Sequence, residues 1–106
     1  MPKYLYTVSY TSDGVRGLLK EGGSSRRSLI EHLAKDLGGK LESFYYAFGN
    51  DDVFAIVDLP DDETAAAIAL TIGASGAIEA KTTVLLTPEQ VDAATEKSIA
   101  YRPPGG

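Results

Sequence analysis

The order in which strand-like and helix-like segments alternate limits the possible folds of this chain more than any other feature. Four segments rich in β-branched or aromatic residues are predicted to be strands: 3–10, 40–48, 53–59 and 77–86. Apolar spacing and end signals predict four helices: 15–21, 25–37, 60–72 and 88–97. Two of the end signals are specific: Gly38-Gly39 as a C-cap, and Thr87-Pro88-Glu89-Gln90 as a capping box.

This order is β-α-β-β-α-β followed by a short C-terminal helix. It predicts an α+β, ferredoxin-like fold with one antiparallel four-stranded sheet and the helices on one face. A chain of 106 residues is expected to form one domain. We assign that domain to residues 1–97 and expect residues 98–106 to be a flexible tail.

The strand patterns predict that both faces of the sheet are apolar. Leu41, Ser43 and Tyr45 are placed on one face of the second strand, opposite Phe44 and Tyr46. The third strand, from Val53 to Leu59, is nearly continuous in apolar residues. With the helices on one side, the other side needs a cover, and a second copy of the chain is the simplest one. We therefore expect a homodimer, or a larger homo-oligomer, with the sheets face to face.

Composition excludes several classes of function. The chain has no cysteine, which excludes a zinc ribbon, a disulfide scaffold and a cysteine nucleophile. Its net charge of −5 and dispersed basic residues argue against nucleic-acid binding. It has no Gly-x-Ser-x-Gly motif, and no long apolar span or signal-like segment. We expect a cytoplasmic protein that needs no cofactor and does not contact a membrane.

Three stretches resemble the GYD-domain family: Met1-Pro-Lys-Tyr4, Leu37 to Gly49, and Asp52 to Glu63, with Lys81-Thr82 in the last strand. The resemblance runs from about residue 2 to 96. Gly49 and Asp52 match the family's Gly and Asp, and Asp51 stands where the family has tyrosine. The resemblance implies a ferredoxin-like fold related to the dimeric α/β barrels. It implies no particular activity.

Two residues are weak candidates for catalysis. His32 is the only imidazole, but the helical periodicity places it at the flank of the apolar stripe formed by Leu29, Leu33 and Leu37. A surface histidine is the favoured interpretation. Asp58 lies inside an apolar strand, where it either leaves the sheet or pairs with Lys81.

The segment Gly22 to Arg27 places two serines and two arginines at a helix N-terminus, where a phosphate or carboxylate could bind. A serine N-cap with solvated arginines is the favoured alternative, although Arg26 is expected to reach over the sheet edge. The aspartates between 51 and 62 do not match an EF-hand, and turn and capping chemistry explains them better than a metal.

The six tyrosines could line a pocket for an aromatic or enolic ligand, or could pack in a dimer core. Dimer packing is the favoured interpretation. If a small organic ligand binds, we expect it between the sheet and the helices. The candidate ligand-binding residues are Tyr6, Arg26, Tyr46, Asp52 and Thr82.

The sequence thus favours a small oligomeric domain that binds an organic ligand without catalysis. The alternative is a cofactor-independent monooxygenase- or isomerase-like enzyme, with tyrosines orienting an enolate and His32 or Asp58 moving protons. A protein-partner adaptor is a third class, and it would leave a strand edge or an apolar patch free after dimerisation.

Overall fold

The alternating pattern produces one antiparallel sheet in the computed structural model, which describes residues 1–106. The elements, in chain order, are β1 (Lys3–Tyr10), α1 (Ser12–Glu21), α2 (Gly23–Asp36), β2 (Lys40–Tyr46), β3 (Val53–Asp58), α3 (Asp62–Ala74), β4 (Ile78–Leu85) and α4 (Pro88–Thr95). The strands lie in the order β2-β3-β1-β4, which is the ferredoxin-like order. The predicted fold class is therefore confirmed.

Side-chain caps explain where three of the helices begin. The Thr11 hydroxyl accepts a hydrogen bond from the Gly14 N–H, so α1 begins at Ser12 and not at Val15 as predicted. The Asp61 carboxylate accepts from the Thr64 N–H and hydroxyl, which holds the pKa of Asp61 below its usual range. The predicted capping box at Thr87 and Gln90 is present and begins α4.

The first two helices follow each other with almost no loop. Gly22 has a φ of 85°, a left-handed conformation that glycine adopts without steric cost. This residue ends α1, and α2 then begins at Gly23, two residues before the predicted start.

A β-bulge between Leu41 and Ser43 changes the predicted faces of β2. Leu41 lies opposite Val57 on the helix side of the sheet, together with Phe44 and Tyr46. Ser43 and Tyr45 lie on the other side. The prediction that Leu41 shares a face with Ser43 was wrong, because the extra residue at the bulge reverses the alternation. The strand also ends at Tyr46 and not at Phe48.

The core lies between the sheet and the helices α2 and α3. Tyr4 and Tyr6 of β1 are buried there, and their hydroxyls donate to the Asp62 carboxylate at 2.6 Å and the Ala65 carbonyl at 2.7 Å. The remaining buried core residues are Ala34, Val53, Ala55, Val57, Leu59, Ala65 and Ile68.

The inward side of α2 keeps Ile30 and Leu33 of the predicted stripe, but not its two ends, Leu29 and Leu37. Leu29 and Leu37 are each more than two-fifths exposed, whereas Ala34 is fully buried. Ile30 and Leu33 join Ala34 against the sheet, because these three lie on the side of the helix that faces β1 and β3.

Opposite the helices lies a second sheet surface, which we call the open face. Its members follow from the strand register and lie in four rows across the sheet: Ser9 and Glu79; Tyr45, Phe54, Thr7 and Lys81; Ser43, Ile56, Leu5 and Thr83; and Lys40, Glu42, Asp58, Lys3 and Leu85. No helix of this chain lies over these residues, since α2 packs over β2 and α3 over β4 from the helix side. The open face is apolar at its centre and charged at both ends.

Gly14 allows α1 to lie close to the start of β4. A Cβ atom added at Gly14 would lie 2.1 Å from the carbonyl oxygen of Ala77, and Thr11 donates to that same oxygen. Residue 14 must therefore be glycine because there is no space for a Cβ atom, and not because of its backbone conformation.

We expect Gly14→Ala to destabilise the fold by about 2 kcal/mol, because helix α1 must move away from Ala77. The matched control is Gly17→Ala in the same helix, where an added Cβ meets no atom within 4 Å. This control should stabilise the chain by about 0.5–1 kcal/mol through its higher helix propensity. Urea unfolding followed by circular dichroism measures both changes, and equal stabilities for the two variants would contradict the packing described here.

Candidate functional site

A cleft of about 410 Å³ opens where β1 and β2 end and where α1 meets α2. We call it the Tyr46 cleft. Its lining residues come from four elements and the β2–β3 turn: Tyr10, Val15, Leu18, Gly23, Tyr46, Ala47, Phe48 and Asp52. A volume of this size falls in the range of small-molecule sites, about 300–1,000 Å³. The walls are mostly apolar, and the polar groups are two phenols and one carboxylate.

Tyr46 forms the centre of one wall. Its ring packs edge-to-face against Phe44 with centroids 5.2 Å apart, and its hydroxyl donates to the Gly23 carbonyl at 3.0 Å. Burial raises the pKa of Tyr46, and the nearby Tyr10 adds to this, whereas the Arg26 guanidinium opposes it. The phenol therefore stays protonated at neutral pH, and its oxygen remains able to accept a hydrogen bond.

Asp52 closes the edge of the cleft and fixes the end of β1. Its backbone N–H donates to the Val8 carbonyl at 2.7 Å, and its carboxylate accepts from the Tyr10 N–H at 2.8 Å. Its carbonyl accepts from the Ala47 N–H at 2.8 Å. Ladder pairing of β1 with β3 stops at Val8 and Val53, so the carboxylate supplies the partner that Tyr10 would otherwise lack.

Arg26 lies beside the cleft, as expected for a residue that reaches over the sheet edge. Its side chain is one-quarter exposed, and its guanidinium lies 3.9 Å from the Glu21 carboxylate, a loose contact. It lines an adjoining 240 Å³ cleft on the other side of Tyr10, and it acts on Tyr46 through its positive charge. The guanidinium is thus near the Tyr46 cleft and only weakly engaged by its own chain.

Two of the predicted ligand-binding residues lie elsewhere. The Tyr6 hydroxyl is buried in the core against Ala65, and burial raises its pKa to about 12. Thr82 lies opposite Tyr6 on the edge strand β4 and is exposed. The structure therefore places Tyr46 and Asp52 in the lining of the Tyr46 cleft, with Arg26 beside it, and leaves Tyr6 and Thr82 elsewhere.

His32 lies on the exposed side of α2, where its Nδ1 is 2.8 Å from the Ser28 carbonyl. It lines a separate, open groove of about 440 Å³ between α2 and α3, together with Asp36 and Thr71. The histidine is therefore distant in the fold from the Tyr46 cleft, on the opposite side of α2 from the sheet.

Asp58 forms an ion pair with a partner that the sequence did not indicate. Its carboxylate is 2.8 Å from the Lys3 ammonium, which also contacts Glu42 at 3.1 Å. Lys81, the predicted partner, lies two rows away opposite Thr7. Both hydrogen bonds from Lys3 to these carboxylates raise the pKa of Lys3. The prediction of an Asp58–Lys81 pair was wrong because β3 pairs with β1 and not with β4.

The space between sheet and helices is too small for an organic ligand. It holds an apolar cavity of about 50 Å³, bordered by Tyr6, Val8, Leu33 and Ile68 among others. A cavity of this size would hold at most about one or two water molecules, and it is lined only by apolar residues. The larger open space lies in the Tyr46 cleft at the end of the sheet.

Sequence reasoning did not single out Tyr10 as a site residue. Its position gives a usable signal, because it is the last residue of β1 on the helix side and directly precedes the Thr11 cap. A side chain at the end of a strand lies at the rim of the sheet, whereas Tyr4 and Tyr6 lie within it. The structure contains no group of three or more histidine, aspartate or glutamate residues that could hold a metal ion.

A family model described as the GYD domain matches residues 4–95. The chain matches none of the curated proteins and none of the solved structures with which it was compared. None of its helices combines the length and the apolar character needed to cross a membrane.

The buried Tyr6 hydroxyl makes the stability of the fold fall as the pH rises in the alkaline range. The unfolded chain loses this proton near pH 10, whereas the folded chain retains it until about pH 12. The contribution of the protonated Tyr6 hydroxyl to the stability of the fold is therefore fully present below about pH 10 and is lost as the pH rises through about 12. The Tyr6→Phe substitution should lower the free energy of unfolding by about 1 kcal/mol at pH 7, because the hydrogen bond is lost. Above pH 10, the stability of this variant should fall less steeply with pH than that of the unsubstituted chain.

Urea unfolding at pH 7, 10 and 11 measures this difference. Tyr45→Phe, which removes an exposed hydroxyl from the open face, is the matched control and should retain the slope of the unsubstituted chain. Parallel losses of stability for Tyr6→Phe and the unsubstituted chain would show that Tyr6 has no such role.

Proposed function

The chain belongs to the GYD domain family, and we propose that it works as a homodimer that binds a small organic molecule in the Tyr46 cleft. The observation that carries the binding proposal is the cleft itself, with apolar walls and two phenols at its centre. Apolar walls with a few placed polar groups are what small-molecule sites offer.

The same residues indicate the class of ligand. Val15, Leu18 and Phe48 provide apolar surface for a flat, aromatic body. The Arg26 guanidinium, held only loosely by Glu21, favours a ligand with an acidic oxygen, such as a carboxylate or an enolate. An aromatic acid satisfies both requirements.

The dimer proposal depends on the open face. Leu5, Phe54 and Ile56 lie at its centre without a helix over them, and Phe54 is 40% exposed. The chain has a net charge of −5, but the open face carries three basic and three acidic residues and is neutral: Lys3, Lys40, Lys81, Glu42, Asp58 and Glu79. A second copy can therefore approach this face without the repulsion that the rest of the surface would produce.

A cofactor-independent enzyme acting on an aromatic or enolic substrate is the second candidate. The observation that favours it is the Asp52 carboxylate at the edge of a cleft lined by Tyr10 and Tyr46. His32 and Asp58, the proton carriers expected from the sequence, lie outside this cleft. If the bound molecule is recovered unchanged after incubation, the binding proposal is supported. If its mass changes, and Asp52→Asn abolishes that change, the enzyme is supported.

Blocking the cleft tests the binding proposal. Val15 lines the cleft and is 43% exposed, so Val15→Trp should fill the entrance without disturbing the core. The matched control is Leu19→Trp, on the same helix and exposed, but outside the cleft. The probe is 1-naphthoate, followed by saturation-transfer NMR. We expect transfer with the unsubstituted chain and with Leu19→Trp, and at least a tenfold weaker signal with Val15→Trp.

Equal signals from Val15→Trp and Leu19→Trp would contradict binding in this cleft. Arg26→Gln separates the contribution of the ligand's acidic group from that of its aromatic body. It should weaken binding of 1-naphthoate but not of the uncharged 1-naphthamide.

A charge placed on the open face tests the dimer. Phe54→Lys would bring two ammonium groups together at the centre of a symmetric interface, and it should raise the dimer dissociation constant at least tenfold. Leu70→Lys, on the exposed side of α3, is the matched control and should leave the dimer intact. Sedimentation velocity at low micromolar concentration measures both, and a Phe54→Lys dimer as tight as the unsubstituted one would exclude this interface.

A further inference from the structure

The sheet has two edge strands, β2 and β4, and only β4 has a regular outer edge. The bulge between Leu41 and Ser43 interrupts β2, whereas β4 pairs with β1 in an unbroken register over all eight of its residues. Five of those eight residues are exposed, and residues 78–85 make no main-chain hydrogen bond outside the ladder with β1. A regular strand edge without a partner is a template for pairing with another strand.

One hydrogen bond at the start of β4 shows which of its residues face this outer edge. The Thr11 N–H donates to the Ala77 carbonyl at 3.0 Å, so the main-chain groups of Ala77 point toward β1. Main-chain groups alternate in direction along an antiparallel strand. The residues whose N–H and C=O groups point outward are therefore Ile78, Ala80, Thr82 and Val84. An added antiparallel strand would satisfy these groups.

Two charged residues of β4 indicate what that added strand is. Glu79 and Lys81 are its only charged residues, and both are exposed. They have opposite signs and lie at equal distances along the strand on either side of Ala80. Such a strand is complementary to itself in an antiparallel pair, because Glu79 of each copy lies opposite Lys81 of the other.

The charges also select one register among the possible ones. Outward-pointing groups must meet outward-pointing groups, so the two-fold axis passes through a residue and not between two residues. An axis at Glu79 would place two glutamates opposite each other, and an axis at Lys81 would place two lysines opposite each other, which is destabilising. An axis at Thr82 would leave both charges without an opposite charge. The axis at Ala80 pairs both, and it places a small side chain at the centre.

We propose that β4 of one copy pairs with β4 of a second copy, antiparallel and with the two-fold axis at Ala80. The two four-stranded sheets then form one sheet of eight strands. Ala80 would pair with its counterpart and Ile78 with Thr82 of the second copy, which gives about six main-chain hydrogen bonds. This contact goes beyond the proposed open-face dimer, because it occupies the strand edge and leaves Phe54 and Ile56 free.

Cross-linking of a single introduced cysteine tests the register, because the chain has no other cysteine and every cross-link therefore joins two copies. In the proposed pair, residue 80 lies about 5.5 Å from its counterpart between Cα atoms. Val84, on the same side of the same strand and 55% exposed, would lie about 26 Å from its counterpart. With bismaleimidoethane, Ala80→Cys should form a covalent dimer at least tenfold faster than the matched control, Val84→Cys.

Amide hydrogen exchange of the unsubstituted chain is the second measurement. The N–H groups of Ala80 and Thr82 should exchange at least tenfold more slowly when the protein concentration is raised from low to high micromolar. The N–H group of Val84 also points outward but lies beyond the paired segment, so its exchange should not change.

Charge reversal tests the pairing of Glu79 with Lys81. Lys81→Glu places only acidic residues opposite one another and should remove the slowing of exchange at Ala80 and Thr82. Adding Glu79→Lys to the same chain exchanges the two charges and should restore the slowing. Failure of the double substitution to restore it would overturn the proposed register.

Equal cross-linking from residues 80 and 84, or exchange at Ala80 and Thr82 that does not depend on concentration, would overturn the edge pairing. Residue 80 lies on the helix side of the sheet, which the open-face dimer turns away from the second copy. If the chain is a dimer without these signatures, the edge pairing fails and the open-face dimer stands. If Phe54→Lys leaves the cross-link at residue 80 intact, the edge pairing stands without the open-face dimer.

Discussion

The placement of every packed helix on one side of a four-stranded sheet is the constraint on which the rest of the structure depends. It allows Tyr4 and Tyr6 to be buried with their hydroxyls bonded, and it leaves Leu5, Phe54 and Ile56 on a face that no helix covers. Burial of apolar surface is the main stabilising contribution in folding, and the helices of this chain cover only one face of its sheet. The proposed second copy would complete this burial.

The same sheet explains where the Tyr46 cleft lies. The β2–β3 turn holds Asp52 against the end of β1, and the Gly22-Gly23 junction brings two helices to the same place. Side chains that would be buried in the middle of the sheet are therefore half-buried at its end, where Tyr10 and Tyr46 border a space large enough for a small molecule. Hydrogen bonding by Asp52 fixes the end of the sheet, and the cleft follows from that geometry.

The fold could be predicted from sequence because its signals are local. The capping residues at Asp61 and Thr87 and the Gly38-Gly39 end each determine their own segment, and the order of the segments determines the topology. The β-bulge could not be predicted, because Glu42 remains on the open face through its contact with Lys3, 39 residues away. The Asp58 partner was missed for a similar reason, since it depends on which strands are neighbours. Of the residues that line the Tyr46 cleft, Tyr46 and Asp52 were named as candidates from residue type and position. Tyr10 was not, because residue type and alternation group it with Tyr4 and Tyr6, and only its position as the last residue of β1 sets it apart.

The central claim is that the working unit is two copies of this chain with an organic molecule bound at the end of each sheet. Native mass spectrometry of the protein purified from its own host tests both parts in one spectrum. The account predicts a species of twice the 11.2 kDa chain mass that also carries the mass of a small organic molecule. A spectrum containing only single chains with no added mass would contradict it.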